Sequence, residues 1–474
     1  MRVRTAATLA ALLTAGLVPL AGPASAAPAK YADDFNGDGY HDLATAAPGA
    51  TVGGRADAGA VVVSYGSRSG IKASNRTVVT QNSAGVPGTA EKYDDFGSSL
   101  AFGDLNRDGY ADLAVGAEGE DGEAGSVTIL WGSKKGLSGG RAVADPARSS
   151  HHRFGMSLAI GDFTADGRAD LAVGSTGADV QIFRGGFTRT AGAASRTWVV
   201  PSLRTGDSYG SQSLAAGDVN GDGVDDLVVS GTIHSGTGEW IDGNLVYLGA
   251  GSRPKPLRTL ESGGYERAVL GDLNGDGYDD IVTSCSPVNG STVGPGVVKA
   301  YLGGAHGVGP TPQAALTQDS PGVPGTTHAS GTSSFGSSLS VGDVNGDGYA
   351  DVAVGAEFEG VGAAWQTGTV TLLRGSAAGL TGAGSTRWTQ NTPGVPDSNE
   401  KNDFWGSAVH LADLNGDRKA DLAVGARYEN GGRGAVWALR GSSSGLTATG
   451  AVSFGAAQEA LSGTWSQLGF LFAQ

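Results

Sequence analysis

Apolar residues in this chain come in short runs, each closed by glycine or a polar turn. One set reads Leu113-Ala114-Val115-Gly116-Ala117, Leu171-Ala172-Val173-Gly174 and Leu422-Ala423-Val424-Gly425. A second set follows after a glycine-rich turn, as in Val127-Thr128-Ile129-Leu130-Trp131 and Val370-Thr371-Leu372-Leu373. Runs this short, rich in valine, leucine and threonine, predict strands rather than helices. A further set comes first in each unit and opens on an aromatic residue and glycine: Phe96-Gly97, Phe154-Gly155 and Phe335-Gly336. Tyr209-Gly210 is a variant, and Phe404-Trp405-Gly406 carries one extra residue. The fifth copy, Tyr265-Glu266-Arg267, lacks the glycine. A weaker fourth run closes several units, for example Thr77-Val78-Val79-Thr80 and Thr197-Trp198-Val199-Val200.

Between the first and second runs lies a polar loop of the form Asp-x-Asn-x-Asp-Gly-x-x-Asp or a close variant. Seven copies begin at Asp34, Asp104, Asp162, Asp218, Asp272, Asp343 and Asp413, in steps of 70, 58, 56, 54, 71 and 70 residues. Four strands per unit, repeated seven times, predict an all-β fold: a seven-bladed β-propeller of four-stranded antiparallel blades. Small alanines and glycines suit crowded inner strands near a central channel. The first loop has no room before it for a normal aromatic-glycine strand. The last run, Leu468-Gly469-Phe470-Leu471-Phe472-Ala473, has no acidic loop after it. It is expected to pair beside residues 43–46 and close the ring, which removes two free sheet edges.

A nine-residue loop with oxygens at positions 1, 3, 5 and 9, a backbone carbonyl at 7 and glycine at 6 folds around a hard cation. Calcium takes six to eight oxygens in irregular geometry; magnesium, the weaker rival, demands a stricter octahedron. The absence of His and Cys from the pattern argues against zinc or copper. The expected ligands of the first two loops are Asp34, Asn36, Asp38, Tyr40, Asp42 and Asp104, Asn106, Asp108, Tyr110, Asp112. The third and fourth supply Asp162, Thr164, Asp166, Arg168, Asp170 and Asp218, Asn220, Asp222, Val224, Asp226. The fifth and sixth supply Asp272, Asn274, Asp276, Tyr278, Asp280 and Asp343, Asn345, Asp347, Tyr349, Asp351. The seventh supplies Asp413, Asn415, Asp417, Lys419 and Asp421. Thr164 and Arg168 in the third loop, and Arg418 and Lys419 in the seventh, predict weaker binding there. Up to seven structural Ca²⁺ ions are expected, each tying a first strand to a second.

Composition narrows the class. Glycine reaches 82 of 474 residues but proline only 17, so the apolar pattern belongs to a folded chain. Residues 1–26 read as a secretory signal: Arg2 and Arg4, an apolar stretch from Ala6 to Leu20, then Ala24-Ser25-Ala26. The propeller is assigned to 27–474. No later apolar run is long enough to span a bilayer. Net charge is −15, or −17 without the leader, which argues against nucleic acid and anionic membranes. The loops supply 21 of the 47 acidic residues, so much of the charge is ligand charge. Cys285 is the sole cysteine and reads as a buried small residue. The seven histidines show no metal-ligand spacing, and no Gly-x-Ser-x-Gly elbow with a strand-turn-helix context appears.

Together the aromatic-glycine start, the acidic loop and the Leu-Ala-Val-Gly-Ala strand resemble the FG-GAP repeats of the integrin α-subunit head. The resemblance covers essentially the whole mature chain. It implies a seven-bladed propeller with Ca²⁺ on one face and protein ligands on the other. All seven units here carry a loop, whereas integrins fill fewer, and nothing resembles the integrin legs, anchor or partner subunit. Similar repeats occur in a glycosylphosphatidylinositol-specific phospholipase D, whose zinc-dependent catalytic region has no counterpart here. Three inserts share a theme, at Gln81 to Gly88, Gln318 to Gly325 and Gln390 to Pro396. With Glu118, Glu120, Asp121, Glu357, Phe358, Glu359, Trp365, Arg427, Tyr428 and Glu429 they are expected to form a rim opposite the acidic loops. The expected function is a secreted, monomeric, non-enzymatic adhesion module for a protein or glycan. The alternative is an extracellular polysaccharide hydrolase or lyase, with Glu357 and Glu359 as a carboxylate pair.

Overall fold

The computed structural model describes residues 29–474 except 194, 207–208, 235–237, 262–264, 287–295 and 326–333. The leader expected at 1–26 lies outside the described residues. The chain forms seven antiparallel sheets arranged as the blades of a β-propeller. In six of them four consecutive strands lie side by side in chain order. The second blade is representative: Phe96–Gly103, Asp112–Ala117, Ser126–Trp131 and Ser138–Val143. Its second strand is buried along its whole length, while the fourth is half open to solvent. This gradient explains the sequence pattern. Inner strands face neighbours on both sides and read as continuous apolar runs; outer strands read weakly.

The first blade completes the circle. Leu43–Ala47, Ala60–Ser64 and Arg76–Val79 form a three-stranded sheet. The C-terminal segment adds its innermost strand, with Thr45 opposite Phe472. Backbone bonds run from Ala46 N–H to the Leu471 carbonyl at 2.9 Å and from Ala473 N–H to the Ala44 carbonyl at 3.1 Å. The expected closure by residues 468–473 is therefore present.

The core lies between blades rather than within one. Val127, Ile129 and Trp131 of the second blade pack with Leu158, Leu171 and Val173 of the third. The seam between the last and first blades is built the same way, from Val436 and Phe454 with Leu43, Val62 and Phe472. Cys285 is buried within the fifth blade, as its apolar neighbours predict.

Candidate functional site

Six of the acidic loops join a first strand to a second, and the first leads into Leu43–Ala47, the second strand of the closing blade, so all seven share one face of the ring. Each is wound by its own carboxylates. In the fifth loop, Asp272 accepts N–H bonds from Gly275, Asp276 and Gly277 at 2.6, 3.2 and 2.8 Å. Asn274 accepts from the Asp276 N–H, and Asp276 from the Tyr278 N–H. The same bonds recur in the first, fourth and sixth loops. Glycines at positions 4 and 6 hold positive φ, 74° and 86° at Gly275 and Gly277, which lets the loop coil inward. Side-chain oxygens of positions 1, 3 and 5 are thereby gathered on one concave side.

Position 9 does something the spacing alone did not reveal. Asp42, Asp112, Asp170, Asp226, Asp280, Asp351 and Asp421 are all buried. Each accepts the N–H of the glycine that ends the third strand: Gly66, Gly132, Gly185, Gly249, Gly303, Gly375 and Gly441. In four loops the other oxygen accepts the N–H of position 2. Burial pushes Asp42 and Asp112 up to about 8 and Asp226 and Asp421 up to about 7, with nearby loop aspartates adding to the rise. Anionic charge crowded at this depth calls for a compensating cation. The all-oxygen donor set fits a hard divalent ion.

The third and seventh loops differ. Arg184 reaches into the third, donating to the Thr164 hydroxyl at 3.2 Å and lying 3.4 Å from Asp166. In the seventh, the Asn415 amide donates to both oxygens of Asp421 at 3.0 and 2.9 Å. The Lys419 ammonium lies 4.0 Å from Asp417. Basic side chains thus sit beside the carboxylates of both loops, as Arg189 does beside Asp108 of the second, 3.3 Å away. Arg374 also touches the sixth loop, at Asp351, 2.7 Å away.

The loops are linked around the ring. The N–H at position 8 of one loop donates to the position-1 carbonyl of the loop before it, as in Ala111 to Asp34 and Asp279 to Asp218. Tyrosine at position 7, expected only to lend its carbonyl, lays its ring over the position-4 glycine of the preceding blade. A Cβ on Gly221 would sit 2.6 Å from Tyr278, and one on Gly416 would sit 2.8 Å from Tyr40. The latter contact crosses the seam between last and first blades.

The opposite face carries a different chemistry. Six large apolar side chains are exposed among the described residues, and four belong to this face: Tyr93, Trp240, Trp365 and Trp465, at 49–56% exposure. Phe358, Phe404, Tyr428 and Trp465 form an edge-to-face chain with centroids 5.2, 4.8 and 5.5 Å apart. Arg427 lies over Phe404 and Tyr428 and pairs with Glu357 at 2.9 Å.

The inserts do not join this rim. Each runs along the fourth strand of the next blade: Gly140 N–H donates to Gly85, Gly322 abuts Gly382, and Gly394 abuts Ala448. The insert glutamines Gln81, Gln318 and Gln390 donate to Glu120, Glu359 and Glu429 of the adjoining blade. Glu359 and Glu429 are buried, so these acids are clasps between blades rather than rim ligands. Glu359 also accepts from Thr369 and Arg387. With Glu357 on Arg427, the two carboxyls considered as a catalytic pair are each already engaged.

Blades, acidic loops and seam together define a closed β-propeller of integrin-like design. Sequence comparison agrees. The FG-GAP repeat model matches residues 32–64, 96–130, 335–373 and 405–439, and an FG-GAP-like repeat model matches 162–229. The chain is an FG-GAP repeat protein. It is 29% identical over 290 residues to integrin alpha-PS5 of Drosophila melanogaster, covering 57% of this chain and 28% of that protein. It is 31% identical over 216 residues to integrin alpha-5 of Xenopus laevis, covering 43% of this chain and 20% of that protein. Phosphatidylinositol-glycan-specific phospholipase D of Mus musculus is 35% identical over 147 residues, covering 30% of this chain and 17% of that protein. The chain spans less than a third of the length of each of these relatives. No helix among the described residues is long and apolar enough to cross a membrane.

Proposed function

We propose that this chain is a secreted, Ca²⁺-stabilised binding module that presents an aromatic face to an extracellular protein or glycan. The carrying observation is the division of chemistry between faces: acidic loops on one, exposed tryptophans and tyrosine on the other. On that face Phe358, Phe404, Tyr428 and the exposed Trp465 stand in one edge-to-face chain, and aromatic side chains are favoured anchors at interfaces. The similarity to integrin α subunits supports the reading.

The cations act as cross-links. All seven loops would bind with the ligands expected from sequence, the third and seventh more weakly because Arg184 and Lys419 sit beside their carboxylates and the Asn415 amide caps Asp421; Arg189 and Arg374 weaken the second and sixth in the same way. Extracellular sites bind Ca²⁺ with Kd on the order of 10⁻⁴ to 10⁻³ M. At free Ca²⁺ equal to Kd each adds about 0.4 kcal/mol. The test is a glycan and matrix-protein array probed with and without Ca²⁺. Ca²⁺-dependent capture by a discrete ligand is the expected result; turnover of a polysaccharide by the pure protein would replace this reading with the enzymatic one.

A further inference from the structure

The fifth blade breaks the repeat at one position, and the structure shows what the break releases. In the second and sixth blades the inner strand carries Ser99 and Ser338, and in the third Ser157 stands just before the inner strand Leu158–Gly161. Each hydroxyl donates to a carbonyl of the next blade: Gly155, Ser211 and Gly406. Across the strand pair, Ser99 and Ser338 face Gly116 and Gly355. In the fifth blade the pair is exchanged. Arg267 stands on the inner strand and faces Ser284 on the second. The Ser284 hydroxyl now makes the bond to the next blade, reaching the Gly336 carbonyl at 2.7 Å. The interblade link is kept, and the inner-strand side chain is freed.

Arg267 lines the central channel on the aromatic face. There Ser98, Ser157, Gln212, Ser407 and Phe470 share with it a cavity of about 190 Å³. It is solvent-exposed and has no hydrogen-bond or ion-pair partner among the described residues. The charged groups that bear on it are Glu357 and Arg427, which already pair with each other at 2.9 Å. One uncompensated guanidinium is thus aimed into a polar recess beside the Arg427 aromatic cluster. A guanidinium fork in such a place fits a planar carboxylate.

We infer that Arg267 is a subsite for a single carboxylate presented on a flexible stem, an aspartate or glutamate side chain of a protein ligand. This rests on the binding-module reading and narrows it. A chain of net charge −15 whose recess is lined by one charged side chain among the described residues, Arg267, is unsuited to densely anionic polymers. A uronic acid is disfavoured because its carboxylate sits directly on the ring, so a whole pyranose would have to enter the recess. A glutamate side chain carries its carboxylate two methylenes from the backbone.

The test uses the full Ca²⁺-loaded protein and a blocked peptide, Gly-Gly-Glu-Gly-Gly, with its Gln analogue and methyl glucuronoside as comparisons. Binding is followed by NMR of the arginine side-chain N–H signals. The Glu peptide should bind weakly, in the millimolar range, and shift one arginine signal that is missing in Arg267→Ser. That variant should bind at least tenfold more weakly at an unchanged melting temperature. Arg267→Lys, which keeps the charge and loses the fork, should fall between. Equal binding by Arg267→Ser, equal binding of the Gln peptide, or no binding to the wild type overturns the subsite. Tighter binding of the glucuronoside transfers the site to a glycan and overturns the peptide assignment. Array capture that survives Arg267→Ser while the peptide stays silent leaves the module standing without this subsite. Arg267-dependent peptide binding with no array ligand does the reverse.

Discussion

Asp276 and Asp417 hold the same position in two loops that the structure makes unequal. Asp276 accepts only the neutral Asn274 amide, at 2.9 Å, with no ion-pair partner among the described residues; Asp417 has the Lys419 ammonium beside it. Asp276→Asn should remove one bound Ca²⁺ by equilibrium dialysis and, at free Ca²⁺ equal to Kd, lower the Ca²⁺-dependent part of stability by about 0.4 kcal/mol. Asp417→Asn should leave both nearly unchanged. Another residue sets a pH dependence. His151 is buried between Asp179 at 3.0 Å and Asp145 at 2.7 Å. The hydrogen bond to Asp179, helped by that to Asp145, raises its pKa against the opposing effect of burial. The imidazolium then stabilises the fold fully below the unfolded value near 6.5, and that contribution is lost as pH rises through the raised folded value. In urea melts, His151→Gln should cost on the order of 1 kcal/mol at pH 6 and much less at pH 9. A loss independent of pH would contradict this assignment. The acidic loops were legible because spacing encodes a turn. The buried role of position 9 was not, since its partner glycines lie 15 to 24 residues away across two strands.

Strands were legible for the same local reason: short apolar runs ended by glycine. What lay between elements was hidden. The inserts look like exposed loops in sequence, yet the Gln390 amide holds the buried Glu429 of the next blade at 2.8 Å. Burial pushes Glu429 up to about 7. Gln390→Leu should therefore destabilise by about 1–3 kcal/mol, the cost of a buried acceptor left without its donor. Denaturant midpoints would show it. The tyrosine-on-glycine contacts were equally hidden, because ring and glycine belong to different repeats. Gly221→Ala should cost more than Gly223→Ala, although both have positive φ. The first would drive a methyl to 2.6 Å from Tyr278, whereas the second meets nothing within 4 Å.

Over the whole molecule, stability depends on a ring whose seam resembles its other joints. Phe472→Ala should cost about 3–5 kcal/mol and lower the melting temperature more than removal of any single cation ligand. Chelation should lower the melting temperature reversibly, with Ca²⁺ restoring it. Closure was legible from an unpaired run near the chain end, whereas the channel cation was not, because only register reveals that Arg267 and Ser284 traded roles. The seam also imposes an order on manufacture. Thr45 must wait for Phe472, so the first sheet leaves the ribosome with a bare inner margin. At about 5–20 residues per second, that margin stays unprotected for tens of seconds, making the nascent polypeptide a natural client for holding chaperones until its final strand arrives.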